Sequence, residues 1–453
     1  MTPNPSITPT RTARETGDWL TRQEPLPFDS APLPDMQSIL VDPGKRFQTL
    51  LGFGGAFTEA AAVTFYKMDA VAQAAILKAY FDPKEGNAYT LCRTTINSCD
   101  FSLGNYSYAE TPGDIALAHF SIEHDRQALI PLIHAATQAS GGKLALFASP
   151  WSPPAWMKTN NEMNHGGRLL PQYRQTWARY YARYIQAYAA EGIPIWGLTV
   201  QNEPDATQTW DSCLYSAEEE RDFVRDHLGP ELAASGLGSV RLIVHDHNRD
   251  FLYQRAKVIY DDSKAAQYVW GAGFHWYVGD HFDNVQALHD AYPDKHLLFT
   301  EGCLEGGAHK DEWAQGERYA RSMINDLNRW TEAWTDWNLL LDEQGGPNHV
   351  GNYCAAPVIA DTRIGTVKGL TFQSSYAYIG HFSRFIRPGA QRVVSVTTLD
   401  ELETTAFRNT DGQLAVVVMN RGDADLPFAL RFAGLAAPTT APAHSITTYC
   451  FEG

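Results

Sequence analysis

Short apolar runs and amphipathic stretches alternate eight times between residues 50 and 385. A chain patterned this way has few ways to bury itself. Strands that alternate with helices form a parallel sheet covered by helices, and eight such units predict a closed (β/α)8 TIM barrel in the α/β class. The strand-like runs are Leu50 to Phe57, Tyr89 to Ile96, Lys143 to Ser149 and Ile195 to Gln201, then residues 240–245, 269–275, 296–300 and 332–338. Helical stretches follow at 59–80, 122–139, 171–190, 216–234, 251–262, 282–291, 313–329 and 369–385. The stretch 171–190 is the clearest. Trp177, Tyr180, Tyr181, Tyr184, Ile185 and Tyr188 share one helical face, and Gly192 and Pro194 end the run. Residues 342–366 read as one long loop rich in Gly and Asn.

The texture changes at Gln391. Val393-Val-Ser-Val, Leu414-Ala-Val-Val-Val-Met and Ser445-Ile-Thr-Thr-Tyr are strands separated by turn-formers such as Asp411-Gly412. They predict an accessory antiparallel β-sandwich at 387–453, which the Pro-containing segment 1–48 joins with strands of its own. The barrel then occupies 49–386.

Charge narrows the function. There are 52 acidic and 36 basic residues, a net charge of −16, which repels nucleic acid and anionic membranes. With 44% hydrophobic and 19% charged residues the chain is a globular one. No apolar run reaches the length of a membrane span, so no stable membrane insertion is expected. Six cysteines without a CxxC, behind an N-terminus with no basic and apolar leader, predict free thiols and a cytoplasmic location. Aromatic residues make up 12% of the chain; most fill the core, but flat rings also suit the C–H faces of sugars.

Two carboxylates stand out. Glu203 follows Leu198-Thr-Val-Gln-Asn202 and Glu301 follows Leu297-Leu-Phe-Thr, and Pro204 and Gly302 turn the chain immediately after them. They fall at the C-terminal ends of the fourth and seventh strands, the catalytic face of a barrel. Either one alone could be a strand-end carboxylate capping the next helix. Together they match the pair that glycosidic cleavage needs. Glu203 is the expected acid and base, with a pKa raised by burial beside anionic Glu301. Glu301 is the expected nucleophile, kept ionised by hydrogen-bond donors. Arg93, at the end of the second strand, is either such a donor or part of a structural ion pair elsewhere.

A metal reading competes. His245 and His247 at i, i+2 would face one way on the fifth strand, and His275 ends the sixth. The first strand offers no ligand beyond Thr58 and the last only Asp336, so hydrogen-bonding roles are expected for these histidines and no metal or cofactor. Cys303 lacks a base and an oxyanion site in the sequence and reads as a buried thiol. Gly52-Phe-Gly54-Gly55 lacks the spacing of a phosphate loop.

At this point the residues resemble a family. Gly52-Phe-Gly-Gly-Ala-Phe-Thr, Cys92-Arg, Ser98-Cys-Asp-Phe-Ser, Ala148-Ser-Pro-Trp-Ser-Pro-Pro-Ala-Trp-Met-Lys, Asn202-Glu-Pro, His275-Trp-Tyr, Trp334-Thr-Asp-Trp-Asn, Gly345-Gly-Pro-Asn and Gly380-His-Phe-Ser-Arg-Phe-Ile stand in the order of glycoside hydrolase family 30. The chain is most similar to the glucosylceramidase branch. The resemblance implies a retaining β-glycosidase in which Glu203 is the acid/base and Glu301 the nucleophile. It implies that Asp100, Trp151, Asn202, Trp337 and Asn352 hold the nonreducing sugar, and that Arg93, His275, Trp276 and Tyr277 surround the nucleophile. The segments Val244-His-Asp-His247-Asn-Arg and Asp205-Ala-Thr-Gln-Thr-Trp210 depart from the branch and rim the leaving-group side. The expected substrate is therefore a carbohydrate or glycolipid, glucosylceramide or a related β-glucoside. An endo-β-1,6-glucanase or a β-xylosidase would keep the same two glutamates, and a non-catalytic sugar-binding barrel is the reading outside enzymes.

Overall fold

A computed structural model describes residues 6–30 and 36–453. Residues 1–5 and 31–35, part of the segment expected to add strands to the sandwich, lie outside the described residues.

Eight parallel strands close on themselves. They are β1 (Gly52–Phe57), β2 (Leu91–Ile96), β3 (Ala145–Pro150), β4 (Ile195–Thr199), β5 (Arg241–Asn248), β6 (Val269–His275), β7 (His296–Glu301) and β8 (Thr331–Asn338), with β8 paired back onto β1. The barrel interior is filled by short-range apolar packing of Leu91, Phe147, Ile243, Leu298 and Ala333, drawn from five different strands. A far larger apolar layer joins the outer faces of the strands to the helices. The aromatic face of the helix Arg174–Ala190 lies in that layer, with Trp177, Tyr180, Tyr181, Tyr184 and Tyr188 fully buried.

The helices differ from expectation where a side chain competes for the backbone. The stretch 59–80 breaks into Glu59–Tyr66 and Ala70–Phe81. Asp69 accepts from the Ala72 amide at 2.8 Å and starts a new helix there, while its own amide donates to the Gly365 carbonyl at 2.7 Å. The stretch 216–234 starts on a reciprocal Ser216–Glu219 cap and widens into a π-turn at Val224–Leu228. Pro230, which has no amide to donate, sits at the start of the next segment, Gly229–Ala234. The long loop 342–366 contains one strand, Val358–Ala360, which pairs with Leu340–Asp342 and Leu370–Phe372 over the C-terminal end of β8.

The second layer is a mostly antiparallel sheet with its own apolar core, including Ile7, Phe28, Val41, Val416, Leu430 and Phe451. It takes strands from both ends of the chain. Ser6–Ala13 pairs with Ser445–Glu452, and Ser38–Thr49 lies between Gln391–Thr397 and Leu426–Phe432. The barrel meets this sheet at the helix Ser374–Ser383, where buried His381 bridges the hydroxyls of Thr12 and Thr448 at 2.9 and 3.0 Å. The six cysteines are free and buried. No helix among the described residues is long and apolar enough to cross a membrane.

Candidate active site

The strand ends on one face of the barrel converge on a cavity of about 450 Å³. Arg93 on β2 organises its floor. It is fully buried, and a buried guanidinium must spend every N–H on an acceptor. Its Nε donates to Ser149 Oγ at 3.0 Å on β3, and Nη1 donates to Glu301 Oε2 at 2.7 Å on β7. Its Nη2 donates to Asn202 Oδ1 at 2.9 Å and to Asp246 Oδ2 at 2.7 Å. Donor to the nucleophile and structural ion pair, left as alternatives by the sequence, are both present. The indole of Trp151 lies 4.8 Å from the guanidinium carbon and closes that side.

Glu301 is held on both oxygens, since Tyr277 Oη donates to its Oε1 at 2.9 Å. Glu203 lies just past β4 with a left-handed backbone (φ 46°) and its amide tied to the Asp246 carbonyl at 3.0 Å. Non-glycine residues rarely occupy that region, so the surrounding structure fixes the direction of this side chain. One oxygen of Glu203, one oxygen of Glu301 and a ring nitrogen of His275 all lie within 4.8 Å of one another.

His275 ends β6 fully buried. Its Nδ1 is 3.2 Å from Glu203 Oε1 and 4.0 Å from Glu301 Oε1, and its Nε2 is 3.1 Å from Asp246 Oδ1. Burial alone would push the imidazole pKa down, but Glu301, Asp246 and Glu203 overcome that and bring it up to about 9. Burial alone would raise Glu203, yet the hydrogen bond from His275 and the charges of His247 and His275 bring it down to about 2. This corrects the expectation of a raised Glu203, which considered Glu301 as its neighbour and not the imidazolium between them. Burial pushes Glu301 up, against the pull of His275 and Arg93. By proton affinity alone the two carboxylates would exchange roles. Their placement separates them: Glu301 is clamped from the floor by Arg93 and Tyr277, while Glu203 borders the rim, with Gln208 Nε2 3.4 Å from its Oε2.

Asp246 is the residue that sequence reasoning missed. Fully buried, it accepts from Arg93, His275 and the Thr300 hydroxyl, the last at 2.6 Å, and Arg93 and His275 hold it far below the ordinary carboxylate range even though burial opposes them. It stands between His245 and His247 in the sequence. Those two do not share a face. His245 and Asp246 both take left-handed backbone (φ 72° and 47°), and the β5–β6 register skips Asp246. This bulge breaks the alternation, turning His245 onto the Asn248 carbonyl at 2.9 Å and leaving His247 Nε2 3.9 Å from Glu203. His245 thus takes a hydrogen-bonding role, as the sequence suggests for these histidines.

The buried end of the cavity is built from Asp100, Trp151, Asn202, Trp337 and Asn352. The indoles of Trp151 and Trp337 stack at 5.0 Å. Asp100 accepts from Asn352 Nδ2 at 3.0 Å and from Asn348 Nδ2 at 3.3 Å, and burial raises its pKa to about 8. Because Asn202 Oδ1 is spent on Arg93, its Nδ2 is the group left to donate elsewhere. Trp276 lies behind this wall, packed on Phe299 and Trp334, and its Nε1 donates to the Cys303 carbonyl at 3.2 Å. The exposed end carries Trp210, Phe251 and Val278.

A TIM barrel that gathers two buried carboxylates and a sugar-sized pocket at its strand ends defines a glycosidase. The chain belongs to glycoside hydrolase family 30. Residues 50–386 match the glycosyl hydrolase family 30 TIM-barrel domain, and residues 389–449 match the family's beta sandwich domain. It is 38% identical to the lysosomal acid glucosylceramidase of Mus musculus over 91% of this chain and 83% of that one. The crystal structure of SrfJ from Salmonella typhimurium is 36% identical, superposes with a TM-score of 0.94, and is matched over 99% of this chain and 100% of that one. The endo-1,6-beta-D-glucanase of Neurospora crassa is 29% identical over 84% of this chain and 80% of that one.

Proposed function

We propose that this family 30 hydrolase is a retaining β-glucosidase that releases a terminal glucosyl unit from glucosylceramide or a related β-glucoside. The carrying observation is the spacing of the carboxylates. Oxygens of Glu203 and Glu301 within 4.8 Å of each other fit the short carboxylate separation of a retaining enzyme, about 5–5.5 Å, and not the roughly 6.5–9.5 Å of an inverting one. Glu301, oriented by Arg93 and Tyr277, attacks the anomeric carbon. Glu203 gives a proton to the leaving oxygen and then takes one from the water that hydrolyses the glycosyl-enzyme. Asp100, with its two asparagine partners, and the indoles of Trp151 and Trp337 hold the sugar, while Asn202 Nδ2 is placed for the 2-hydroxyl, whose contact strengthens in the transition state. His275 and Tyr277 complete the wall around the nucleophile.

Phe251 and Val278 are each more than half exposed at the open end, and Trp210 is beside them. An apolar mouth favours an alkyl or aryl leaving group over a row of sugar subsites. Similarity to the Mus musculus glucosylceramidase supports the same reading, while the Neurospora crassa relative supports an endo-β-1,6-glucanase as the second one. The six buried thiols, none in a disulfide, suit a reducing cytoplasm. The test is hydrolysis of glucosylceramide, an aryl β-glucoside, an aryl β-xyloside and β-1,6-glucan side by side, together with Glu301→Gly. Cleavage of the first two, with turnover abolished in the variant and partly restored by azide as the α-glucosyl azide, is expected. Full activity of Glu301→Gly, or preference for the glucan, would overturn the respective half of the proposal.

A further inference from the structure

The acid that starts glycosidic cleavage must be protonated, and Glu203 Oε1 lies 3.2 Å from Nδ1 of a buried imidazole, so one proton is shared along that contact. The groups facing that imidazole come from every neighbouring strand: Arg93 on β2, Glu203 past β4, Asp246 and His247 on β5, Glu301 and Thr300 on β7, and Tyr277 beyond β6 itself. Asp246 fixes Nε2 as a donor, so only Nδ1 can gain or lose a proton, and Nδ1 points at Glu203 Oε1.

Resting on the reading of Glu203 as acid/base, we propose that His275 stores the proton that Glu203 delivers. The proton sits on Nδ1 in the empty site and crosses the 3.2 Å hydrogen bond to Glu203 when a glucoside fills the pocket. The two arrangements have the same total charge and differ by one proton position. In the first, His275 is cationic between Asp246 and Glu203, both anionic. In the second, the Nδ1–H bond is broken, an O–H bond is formed on Glu203, and the imidazole is neutral; no electrons are gained or lost. A sugar drives the exchange because it removes the water that solvates the Glu203 carboxylate, and a drier site favours the neutral pair over the separated charges. Glu203 then passes the proton to the leaving oxygen as the glycosidic C–O bond breaks. During deglycosylation Glu203 takes a proton from water, and product release returns it to Nδ1. The elevated proton affinity of His275 and the depressed one of Glu203 describe the same resting arrangement.

His275 is thus a positioning residue that acts through Glu203, and it should control pH dependence and not merely stability. In His275→Gln, the alkaline limb of kcat/KM is expected to move to lower pH by at least about one unit, because Glu203 must then titrate alone. The loss should be at least about tenfold greater for an alkyl β-glucoside, which needs an acid, than for dinitrophenyl β-glucoside, which does not. A purely structural role would lower both substrates alike and leave the limb in place, and that result overturns the proposal. Should the variant fail to fold, ¹⁵N-histidine NMR of the wild-type protein decides. An imidazolium at His275 in the empty enzyme at neutral pH, turning neutral on addition of a non-hydrolysable thioglucoside, is expected; a neutral ring in the empty enzyme overturns the idea. Glu203→Gln separates the two levels. Full turnover of an alkyl β-glucoside by that variant would sink the acid/base assignment itself, whereas an inactive Glu203→Gln beside an unshifted limb in His275→Gln would sink only the proton store.

Discussion

Glu301 owes its orientation to two donors of different kind, a guanidinium and a phenol. Removing the guanidinium would strand Asp246 and Asn202 as well as Glu301, so Arg93 is a poor probe of the nucleophile alone. Tyr277 is a better one. Tyr277→Phe keeps the ring and loses the bond to Oε1, a hydrogen bond to a charged group worth about 1.5–3 kcal/mol. A fall in kcat/KM of roughly ten- to a hundredfold with unchanged thermal stability is expected, and steady-state kinetics beside a melting curve checks it. Both glutamates were legible in the sequence because a strand end followed by a turn-former is a local pattern. Asp246 was not, because its importance comes from a backbone bulge that reverses which side chain on β5 faces inward. Alternation along a strand is a rule about regular strands, and the site uses an irregular one.

The strands of the barrel are legible within a few residues from their apolar runs, since each is largely buried, and in β1, β3, β4 and β6 the polar residues do not outnumber the apolar ones that mark the run. Helix ends and breaks were read less well, because Asp69 and Pro230 act through single hydrogen bonds made or missing, which leave the hydrophobic period intact. The small strand Val358–Ala360 carries no strand signal of its own in the sequence, being only three residues long and dependent on partners on either side. Gly54 shows how tightly the elements constrain one another. A Cβ there would lie 1.9 Å from the Leu91 carbonyl oxygen and 2.9 Å from Cys92 Sγ, both on β2. Gly54→Ala must force β1 and β2 apart beneath Arg93. Loss of most soluble, folded protein is expected, whereas Gly104→Ala, where nothing lies within 4 Å, should express and melt like the wild type. Expression yield and circular dichroism of the two variants provide the comparison.

At the scale of the molecule the barrel and the second sheet are joined through His381, buried and bonded to the hydroxyls of Thr12 and Thr448. Burial lowers its pKa from 6.5 to about 3, so the unfolded chain binds a proton here that the folded one refuses. The contribution of this residue is complete above about pH 6.5 and is lost as pH falls toward 3, to the extent of roughly 5 kcal/mol at the acid limit. Melting temperature should therefore drop more steeply between pH 7 and pH 4 in the wild type than in His381→Gln, and parallel slopes would show that the histidine is not the source. The pairing of Ser6–Ala13 with Ser445–Glu452 carries a consequence for synthesis. A ribosome makes Ser445 some 432 residues (445 − 13) after Ala13, an interval on the order of half a minute at ordinary translation speeds. Throughout that time the barrel can close on contacts that are already present, while the first strand waits with an open edge. The nascent chain thus has a built-in order of assembly, barrel before sheet.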